Sequence, residues 1–310
     1  MKAVRINEYG DPSVVVIDEV AMPAPSEGQV LVEVCASSLN PFDTAVRSGY
    51  MKEAIPLQLP VTLGGDIAGI VAKVGQGVTE YAIGDKVYGQ ASVVAGNSGA
   101  FAEFAATKSS QVAKAPSNLD FYEASSLPLV GVSALQALTE HVHLQPGQKI
   151  LIQGGSGGIG SIAIQIAKHL GAYVAATAPT ESVEMVKKLG ADEIIDYKTQ
   201  DFTEIVHNYD AVFDTVGGDI FQKSLGSLRQ GGMAVSMIAH VDEAIAKKHS
   251  VTAITQKTSV TTEQLNKLTE LIEKGVVTAH IAELFPLQQI QQAFEAREGG
   301  AQGKIVLKIK

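Results

Sequence analysis

Three glycines that follow a short apolar strand are the residues of this sequence with the clearest chemical use. The segment K-I-L-I-Q, from Lys149, leads into Gly155, Gly157 and Gly160, spaced G-x-G-x-x-G, and a helical pattern follows over 161–170. A side chain at the glycine positions would hold the backbone away from a pyrophosphate, whereas amides at a helix N-terminus supply donors and partial positive charge. The spacing therefore predicts a dinucleotide-binding loop.

Glycine-rich turns are common, so the segments around this loop decide whether it indicates nucleotide binding. A second apolar strand is predicted over Tyr173 to Thr177, a helix over Glu181 to Leu189, and further strands over Glu193 to Tyr197 and Ala211 to Asp214. This alternation of strands and helices is typical of a parallel sheet covered by helices. We predict an α/β fold with a doubly wound parallel sheet of the Rossmann type that binds a nicotinamide or flavin nucleotide.

The first hundred residues have a different pattern. They alternate apolar and polar positions, as in V-L-V-E-V, and are broken by turn signals such as P-A-P-S-E-G. This pattern predicts a twisted, partly closed antiparallel sheet, and the last strand, K-I-V-L-K-I, is expected to return to it. We predict one domain over 1–119 and 259–310, and a nucleotide-binding domain over 120–258.

Composition limits the possible partners. The chain has 310 residues, 45% of them hydrophobic, and a formal net charge of -9. A nucleic-acid or anionic-membrane surface depends on clustered Lys and Arg, so neither partner is expected. Met1 leads directly into a strand-like segment, and no apolar run approaches the roughly 18 residues of a membrane span. We predict a cytoplasmic protein that acts on small molecules.

Several ordered blocks carry a family resemblance. They are S-S-L-N-P-F-D-T-A-V-R-S-G (37–49), L-G-G-D-I-A-G-I-V-A-K-V-G-Q-G-V (63–78), G-D-K-V-Y-G (84–89), G-A-F-A-E-F (99–104), L-P-L-V-G-V-S-A-L-Q-A-L (127–138), the glycine loop, F-D-T-V-G-G-D (213–219) and G-K-I-V-L (303–307). The sequence resembles the medium-chain dehydrogenase/reductase superfamily, and within it the zinc-independent quinone oxidoreductase-like branch. The resemblance implies a GroES-like, partly open β-barrel domain, a Rossmann domain, and an active site in the cleft between them.

Zinc ligands are missing where the resemblance would place them. Zinc-containing relatives offer a cysteine near the position of Asn40, and a G-H-E motif where this chain has Gly64, Gly65 and Asp66. Gly65 has no ligand atom, whereas catalytic zinc takes three protein ligands and structural zinc four. The spacing of His141 and His143 indicates a helix end, where histidines interact well with the helix dipole. We expect no bound metal.

The absence of zinc favours particular substrates. Reduction of a simple ketone places charge on one oxygen, which calls for a Lewis acid or a strong proton donor. Hydride added to a quinone or to the β-carbon of an enone leaves delocalised charge, so modest hydrogen bonds suffice. We predict an NADPH-dependent oxidoreductase of quinones or α,β-unsaturated carbonyls.

The resemblance implies three catalytic residues, Asn40, Asp43 and Ser133. The alternatives are that Asn40 and Pro41 form an ordinary turn and that Ser133 only packs a helix. Many relatives carry a tyrosine near the substrate where this chain has Ala45. Tyr50 could substitute for it, or it could be an ordinary half-buried aromatic residue.

Cofactor preference depends on the end of the second Rossmann strand. NAD enzymes place an acid there to hold the ribose 2′-hydroxyl, whereas this chain has T-A-P-T over 177–180. The missing carboxylate favours NADPH, although Glu181 keeps NADH possible. The predicted cofactor contacts are Gly155, Gly157, Gly158, Ile159, Gly160, Thr177, Thr180, Ser182, Tyr197, Val216, Gly217, Ser236, Ile238 and Lys304. Alternatively, Lys304 is a solvated lysine on an edge strand.

Two other functions stay open. A 2-enoyl thioester reductase would need basic residues for a phosphopantetheine, and a low-turnover NADPH-binding sensor or scaffold would be compatible with the loss of tyrosine at Ala45.

The predicted last strand of the Rossmann sheet, Val251 to Thr255, could pair across a two-fold axis. We therefore predict a homodimer.

Overall fold

The computed structural model describes every residue from Met1 to Lys310, and the chain forms two compact units. The first comprises residues 1–129, 260–273 and 279–310, and the second comprises residues 130–259 and 274–278. The predicted boundary between residues 119 and 120 therefore falls inside the first unit. Residues that follow position 259 contribute to both units.

The secondary structure alternates between strand-rich and mixed regions. The strands are β1 (Lys2–Ile6), β2 (Val15–Glu19), β3 (Gln29–Leu39), β4 (Val61–Thr62), β5 (Asp66–Val74), β6 (Lys86–Gln90), β7 (Phe104–Lys108), β8 (Val112–Lys114), β9 (Lys149–Gln153), β10 (Tyr173–Ala178), β11 (Glu193–Asp196), β12 (Tyr209–Asp214), β13 (Leu228–Ser236), β14 (Thr252–Thr255), β15 (Ile281–Pro286) and β16 (Lys304–Lys308). The α-helices are α1 (Pro41–Arg47), α2 (Phe121–Ser125), α3 (Pro128–Gln136), α4 (Gly158–His169), α5 (Val183–Lys188), α6 (Gly218–Ser224), α7 (Glu243–His249), α8 (Thr262–Glu273) and α9 (Ile290–Glu298).

The first unit contains a seven-stranded and a three-stranded sheet, both mostly antiparallel. The larger sheet has the order β15-β16-β3-β5-β6-β8, with β7 also paired to β3, and the smaller has the order β2-β1-β4. Strand β3 is long and lies inside the sheet, so its apolar side chains are nearly all buried. Its register with β5 shifts twice, and such bulges bend and twist a strand. The unit is the partly open, GroES-like barrel that the resemblance implies.

The second unit is a parallel six-stranded sheet of order β11-β10-β9-β12-β13-β14. In sequence terms this is the doubly wound order 3-2-1-4-5-6, whose ligands bind beyond the carboxyl ends of the strands, where the strand order reverses. We call that end of the sheet the carboxyl edge. The central strands β9 and β10 are buried almost throughout, as expected for a sheet covered on both faces. The predicted fold class is confirmed.

Two predicted elements differ from the structure at their ends. Helix α4 begins at Gly158 instead of Ser161, because Gly157 has extended backbone angles and caps a helix whose first turn contains glycines. The predicted helix over 181–189 is a 3₁₀ turn, Thr180–Ser182, followed by α5. Each helix is too short or too polar to traverse a lipid bilayer.

Candidate functional site

Asn40 joins the central strand of the first unit to a short helix. It follows β3 directly and precedes Pro41, which is suited to the first position of α1 because it lacks an N–H group. The backbone N–H of Asn40 donates to Oδ2 of Asp43 at 2.8 Å, which is one half of a capping box. The N-P-x-D sequence is therefore a turn, and its two polar side chains are both buried.

The side-chain amide of Asn40 is held from both ends. Lys304 Nζ donates to its Oδ1 at 2.5 Å, and its Nδ2 donates to Oδ2 of Asp66 at 2.8 Å. A lysine ammonium only donates hydrogen bonds and a carboxylate only accepts them, so these partners fix which end of the amide is oxygen and which is nitrogen. One N–H of Nδ2 remains available in a known direction.

Lys304 is buried, with 5% of its surface exposed, so the alternative of a solvated edge lysine is wrong. Strand β16 lies between β15 and β3, and Ile305 is paired with Leu39, which brings Lys304 beside the end of β3. Its ammonium also donates to the Leu39 carbonyl at 3.1 Å and lies 3.7 Å from Asp66 Oδ2. A buried ammonium needs such partners because desolvation of a lone charge is costly.

Asp66 completes this group, and sequence reasoning gave it no role. It opens β5 opposite Ser38, is fully buried, and accepts the Ser38 hydroxyl at 3.2 Å and the Leu129 N–H at 3.1 Å. The available signal was a carboxylate at the head of the otherwise apolar strand D-I-A-G-I-V-A. We call Asn40, Asp43, Asp66 and Lys304 the Asn40 cluster.

Burial dominates the electrostatics of the Asn40 cluster. Desolvation raises the pKa of Asp43 to about 7, although the N–H of Asn40 opposes the shift. Desolvation also raises the pKa of Asp66 and lowers that of Lys304, and the attraction between these two groups opposes both shifts. Asp43 can therefore exchange a proton near neutral pH.

The segment after Asn40 contains both positions at issue for a tyrosine near the substrate. Ala45 lies on α1, and Tyr50 is 85% exposed, so the description of Tyr50 as a half-buried residue is wrong. Leu57 and Leu59 pack against the core of the first unit.

The glycine loop, Gly154 to Gly160, lies at the carboxyl edge of the second unit. A Cβ atom on Gly160 would lie 2.1 Å from the Gly154 carbonyl oxygen, and one on Gly155 would lie 2.9 Å from the Ala176 Cβ. A Cβ on Gly157 would meet nothing closer than 3.4 Å. Two glycines are thus required for packing, whereas a Cβ atom on Gly157 would make one ordinary contact, with the Gly154 carbonyl oxygen.

The start of α4 has the backbone groups that a pyrophosphate needs. The first N–H groups of a helix have no acceptor within the helix, and they carry its positive dipole end. In α4 these belong to Gly158, Ile159 and Gly160, of which the first two are partly exposed. The predicted contacts over 155–160 are therefore brought together at one helix N-terminus.

Thr177 supports the loop from the neighbouring strand. Its hydroxyl donates to Gln153 Oε1 at 2.7 Å and accepts the Gly154 N–H at 3.0 Å. Thr177 and Ser182 are both buried. This geometry indicates that Thr177 supports the loop. It favours that role instead of the predicted contact between Thr177 and a 2′-phosphate.

The residues beyond β10 and β11 carry exposed charges. Thr180 donates to Asp196 Oδ2 at 2.6 Å, and Lys198 Nζ donates to both carboxylate oxygens of Glu181, at 3.0 and 2.8 Å. This hydrogen bonding raises the pKa of Lys198 and lowers that of Glu181, so both are charged at neutral pH. Tyr197 is 57% exposed beside them. Sequence reasoning found no basic residue here, and Lys198 is one.

The turns after β12 and β13 are organised by Asp214, which sequence reasoning also left without a role. Its buried carboxylate accepts the Ser236 hydroxyl at 2.6 Å and the N–H groups of Val216 and Gly217 at 3.1 Å. Val216 and Ile238 are large apolar residues that remain exposed at this edge. They offer an apolar surface to a flat ring.

Ser133 contacts the segment that follows β14. It is buried on α3, its hydroxyl is 2.7 Å from that of Thr258, and its carbonyl accepts Gln256 Nε2 at 3.0 Å. These contacts favour the helix-packing alternative. His141 ends a helical turn as predicted, and no group of three or more His, Cys, Asp or Glu side chains is arranged to hold a metal ion.

Two parts of the chain match families of known proteins. Residues 26–117 match the family of alcohol dehydrogenase GroES-like domains, and residues 189–307 match the family of zinc-binding dehydrogenases. The NADPH-dependent alkenal/one oxidoreductase of Arabidopsis thaliana, a chloroplastic protein, is 35% identical over 99% of this chain and 79% of its own length. The chain belongs to the quinone oxidoreductase-like branch of the medium-chain dehydrogenase/reductase family.

Solved structures of this family support the assignment. The quinone oxidoreductase of Coxiella burnetii has a TM-score of 0.92 and 33% identity, over 100% of this chain and 99% of that protein. The Escherichia coli quinone oxidoreductase in complex with NADPH has a TM-score of 0.91 and 29% identity, and each chain is covered completely. The predicted family and the assignment as an oxidoreductase are confirmed.

Proposed function

We propose that this oxidoreductase uses NADPH to reduce quinones or α,β-unsaturated carbonyl compounds without zinc. The observation that carries the proposal is the pairing, in one chain, of an open glycine loop with a buried amide of fixed orientation. The relatives named for NADPH-dependent alkenal/one reduction and for quinone reduction support the choice of substrates.

The second unit would hold the cofactor. The N–H groups of Gly158 and Ile159 would meet the pyrophosphate, and Val216 and Ile238 would present apolar surface to a ring. When bound, the cofactor supplies the hydride. The loop geometry fits that cofactor because the absence of a side chain at Gly157 lets a phosphate approach the backbone.

The first unit would supply a hydrogen-bond donor. Lys304 and Asp66 hold the Asn40 amide, so its remaining N–H need not reorganise as charge develops on a substrate oxygen. Delocalised enolate or quinol charge needs only modest stabilisation of this kind. Asp43 could hold a proton near neutral pH, because burial raises its pKa to about 7.

The donor set supports the proposed independence from zinc. Catalytic zinc takes three protein ligands, and Gly65, at the position where zinc-containing relatives carry a histidine, has no ligand atom.

The predicted homodimer also belongs to the proposal, since β14 is the last strand of its sheet and has one unpaired edge. Light scattering at micromolar protein tests it, and a monomer mass would contradict it. The cytoplasmic location stays a prediction.

The test of function is NADPH and NADH oxidation by the purified protein in EDTA, with a quinone, an alkenone, a 2-enoyl thioester and a saturated aldehyde as acceptors. We expect turnover with the first two and faster turnover with NADPH. Turnover of the thioester alone would favour a thioester reductase, and NADPH binding without turnover would favour a sensor. Aldehyde reduction that requires added zinc would overturn the proposal.

A further inference from the structure

The adenosine end of the proposed cofactor site contains both an acid and a base. In doubly wound nucleotide-binding sheets, the residues after the second strand meet the adenosine ribose, with an acid for a 2′-hydroxyl or a basic residue for a 2′-phosphate. Here Glu181 follows β10 and Lys198 follows β11. Strands β10 and β11 are parallel neighbours, with Ala178 paired to Asp196, so both segments leave the sheet at the same end.

The two charged groups are paired with each other. Lys198 donates to both oxygens of the Glu181 carboxylate, and the side chains remain 49% and 56% exposed. An exposed ion pair contributes little to stability because water and salt screen it. A phosphate dianion could therefore take Lys198 from Glu181 without loss of a strong interaction.

Lys198 is the one basic residue in segments 179–182 and 196–201. Thr180 is hydrogen-bonded to Asp196, and Ser182 is buried. With Glu181 and Asp196 negative and Lys198 positive, these three groups sum to a charge of -1. A 2′-phosphate would be repelled by this arrangement unless Lys198 turned towards it.

We propose that Lys198 is the residue that recognises the 2′-phosphate of NADPH, and that Glu181 competes with that phosphate for it. The preference for NADPH over NADH is then set by the exchange of one lysine between two anions. The inference rests on the proposed function, because it assumes that the second unit binds a nicotinamide dinucleotide. Lys198, which follows β11, would bind the 2′-phosphate in place of a basic residue after β10.

The test compares cofactor affinity in three variants of the full chain. Dissociation constants for NADPH and NADH come from fluorescence titration, and competition with adenosine 2′,5′-bisphosphate and with 5′-AMP isolates the phosphate. We expect Lys198→Ala to weaken NADPH and the bisphosphate roughly tenfold while NADH and 5′-AMP change little, which corresponds to the loss of one charge-assisted hydrogen bond. Glu181→Gln should tighten NADPH a few-fold, roughly the reverse of a weak exposed pair.

The double variant separates competition from two independent effects. If Glu181 acts only by occupying Lys198, the gain from Glu181→Gln disappears once Lys198 is alanine. Lys267→Ala is the matched control, since Lys267 is 50% exposed and is paired with Glu263 at 2.7 Å on α8, in the other unit. It should leave both cofactor affinities unchanged.

Failure of the inference can be distinguished from failure of the proposed function. If the wild-type protein binds NADPH, but Lys198→Ala changes NADPH and NADH equally or changes neither, the assignment of Lys198 is overturned. If the wild-type protein binds neither NADPH nor NADH, the proposed function itself is wrong. A preference for NADPH that weakens with added salt in the wild type, and less so in Lys198→Ala, would support the assignment.

Discussion

The Asn40 cluster of the first unit and the carboxyl edge of the second unit use polar groups in opposite ways. In the cluster, two carboxylates, an ammonium and an amide are almost completely buried and satisfy one another. At the carboxyl edge, the proposed binding surface depends on backbone N–H groups and on the absence of side chains at glycines, and the charges are exposed.

This difference determines what a substitution does. A buried charge that loses its partner has no water to replace it, so each member of the cluster is specified by the others. An exposed charge is solvated with or without its partner, so it can be exchanged for a ligand. The first arrangement suits a fixed donor, and the second suits a replaceable contact.

The largest effect is expected when the cluster loses its cation. Lys304→Met would leave Asp66 buried without its ammonium, and we expect the free energy of unfolding to fall by about 3–5 kcal/mol. Urea denaturation measures it. The control is Lys310→Ala, which removes an exposed lysine that contacts Glu33 and should cost no more than about 1 kcal/mol. Equal losses in the two variants would contradict the difference between buried and exposed pairs.

The glycine loop was predictable because its parts are adjacent in the sequence. A strand, three spaced glycines and a helix lie within residues 149–170, so local spacing was enough to predict these elements in their order. The first residue of α4 could not be predicted, because glycines are poor helix formers and Gly158 is helical only in the context of the loop.

The Asn40 cluster could not be assembled from the sequence in the same way. Asn40, Asp66 and Lys304 are far apart along the chain and meet because β3 pairs with β5 on one side and with β16 on the other. Whether Lys304 was solvated depended on β16 being an inner strand, which strand order alone decides. For the same reason, Lys198 could not be matched to Glu181 before β10 and β11 were known to be neighbours.

A second prediction concerns the dependence of stability on pH. Burial raises the pKa of Asp43 to about 7 from an ordinary value of 3.8. Between about pH 4 and 7 the folded state therefore holds a proton that the unfolded state has lost. The free energy of unfolding should fall as pH rises through that window, by at most about 4 kcal/mol from this group.

Asp43→Asn removes this dependence while its side-chain oxygen can still accept the Asn40 N–H. We expect the variant to gain stability relative to the wild type as pH rises from 5 to 7, and to gain no more above 8. Asp11→Asn is the control, because hydrogen bonds from Ser13 lower the pKa of Asp11 and leave it ionised in both states throughout that range. If the difference in free energy of unfolding between Asp43→Asn and the wild type stayed constant from pH 5 to 8, Asp43 would not be buried as a neutral acid.

The smallest effect on stability is expected in the glycine loop, where two alanine substitutions should have different consequences. Gly160→Ala would place a Cβ atom 2.1 Å from the Gly154 carbonyl, and overpacking of this kind typically costs about 1–3 kcal/mol. Gly157→Ala meets nothing closer than 3.4 Å, so it should leave thermal unfolding of the protein without cofactor nearly unchanged.

Binding should show the complementary result for Gly157. Its Cβ would occupy the space assigned to the pyrophosphate, and we expect NADPH affinity to fall roughly tenfold or more, with NADH equally affected because both carry the same pyrophosphate. This equality distinguishes the loop from Lys198, whose loss should affect NADPH alone. If Gly157→Ala bound both cofactors normally, the loop at Gly157 would not be the pyrophosphate site, whatever the activity of the enzyme.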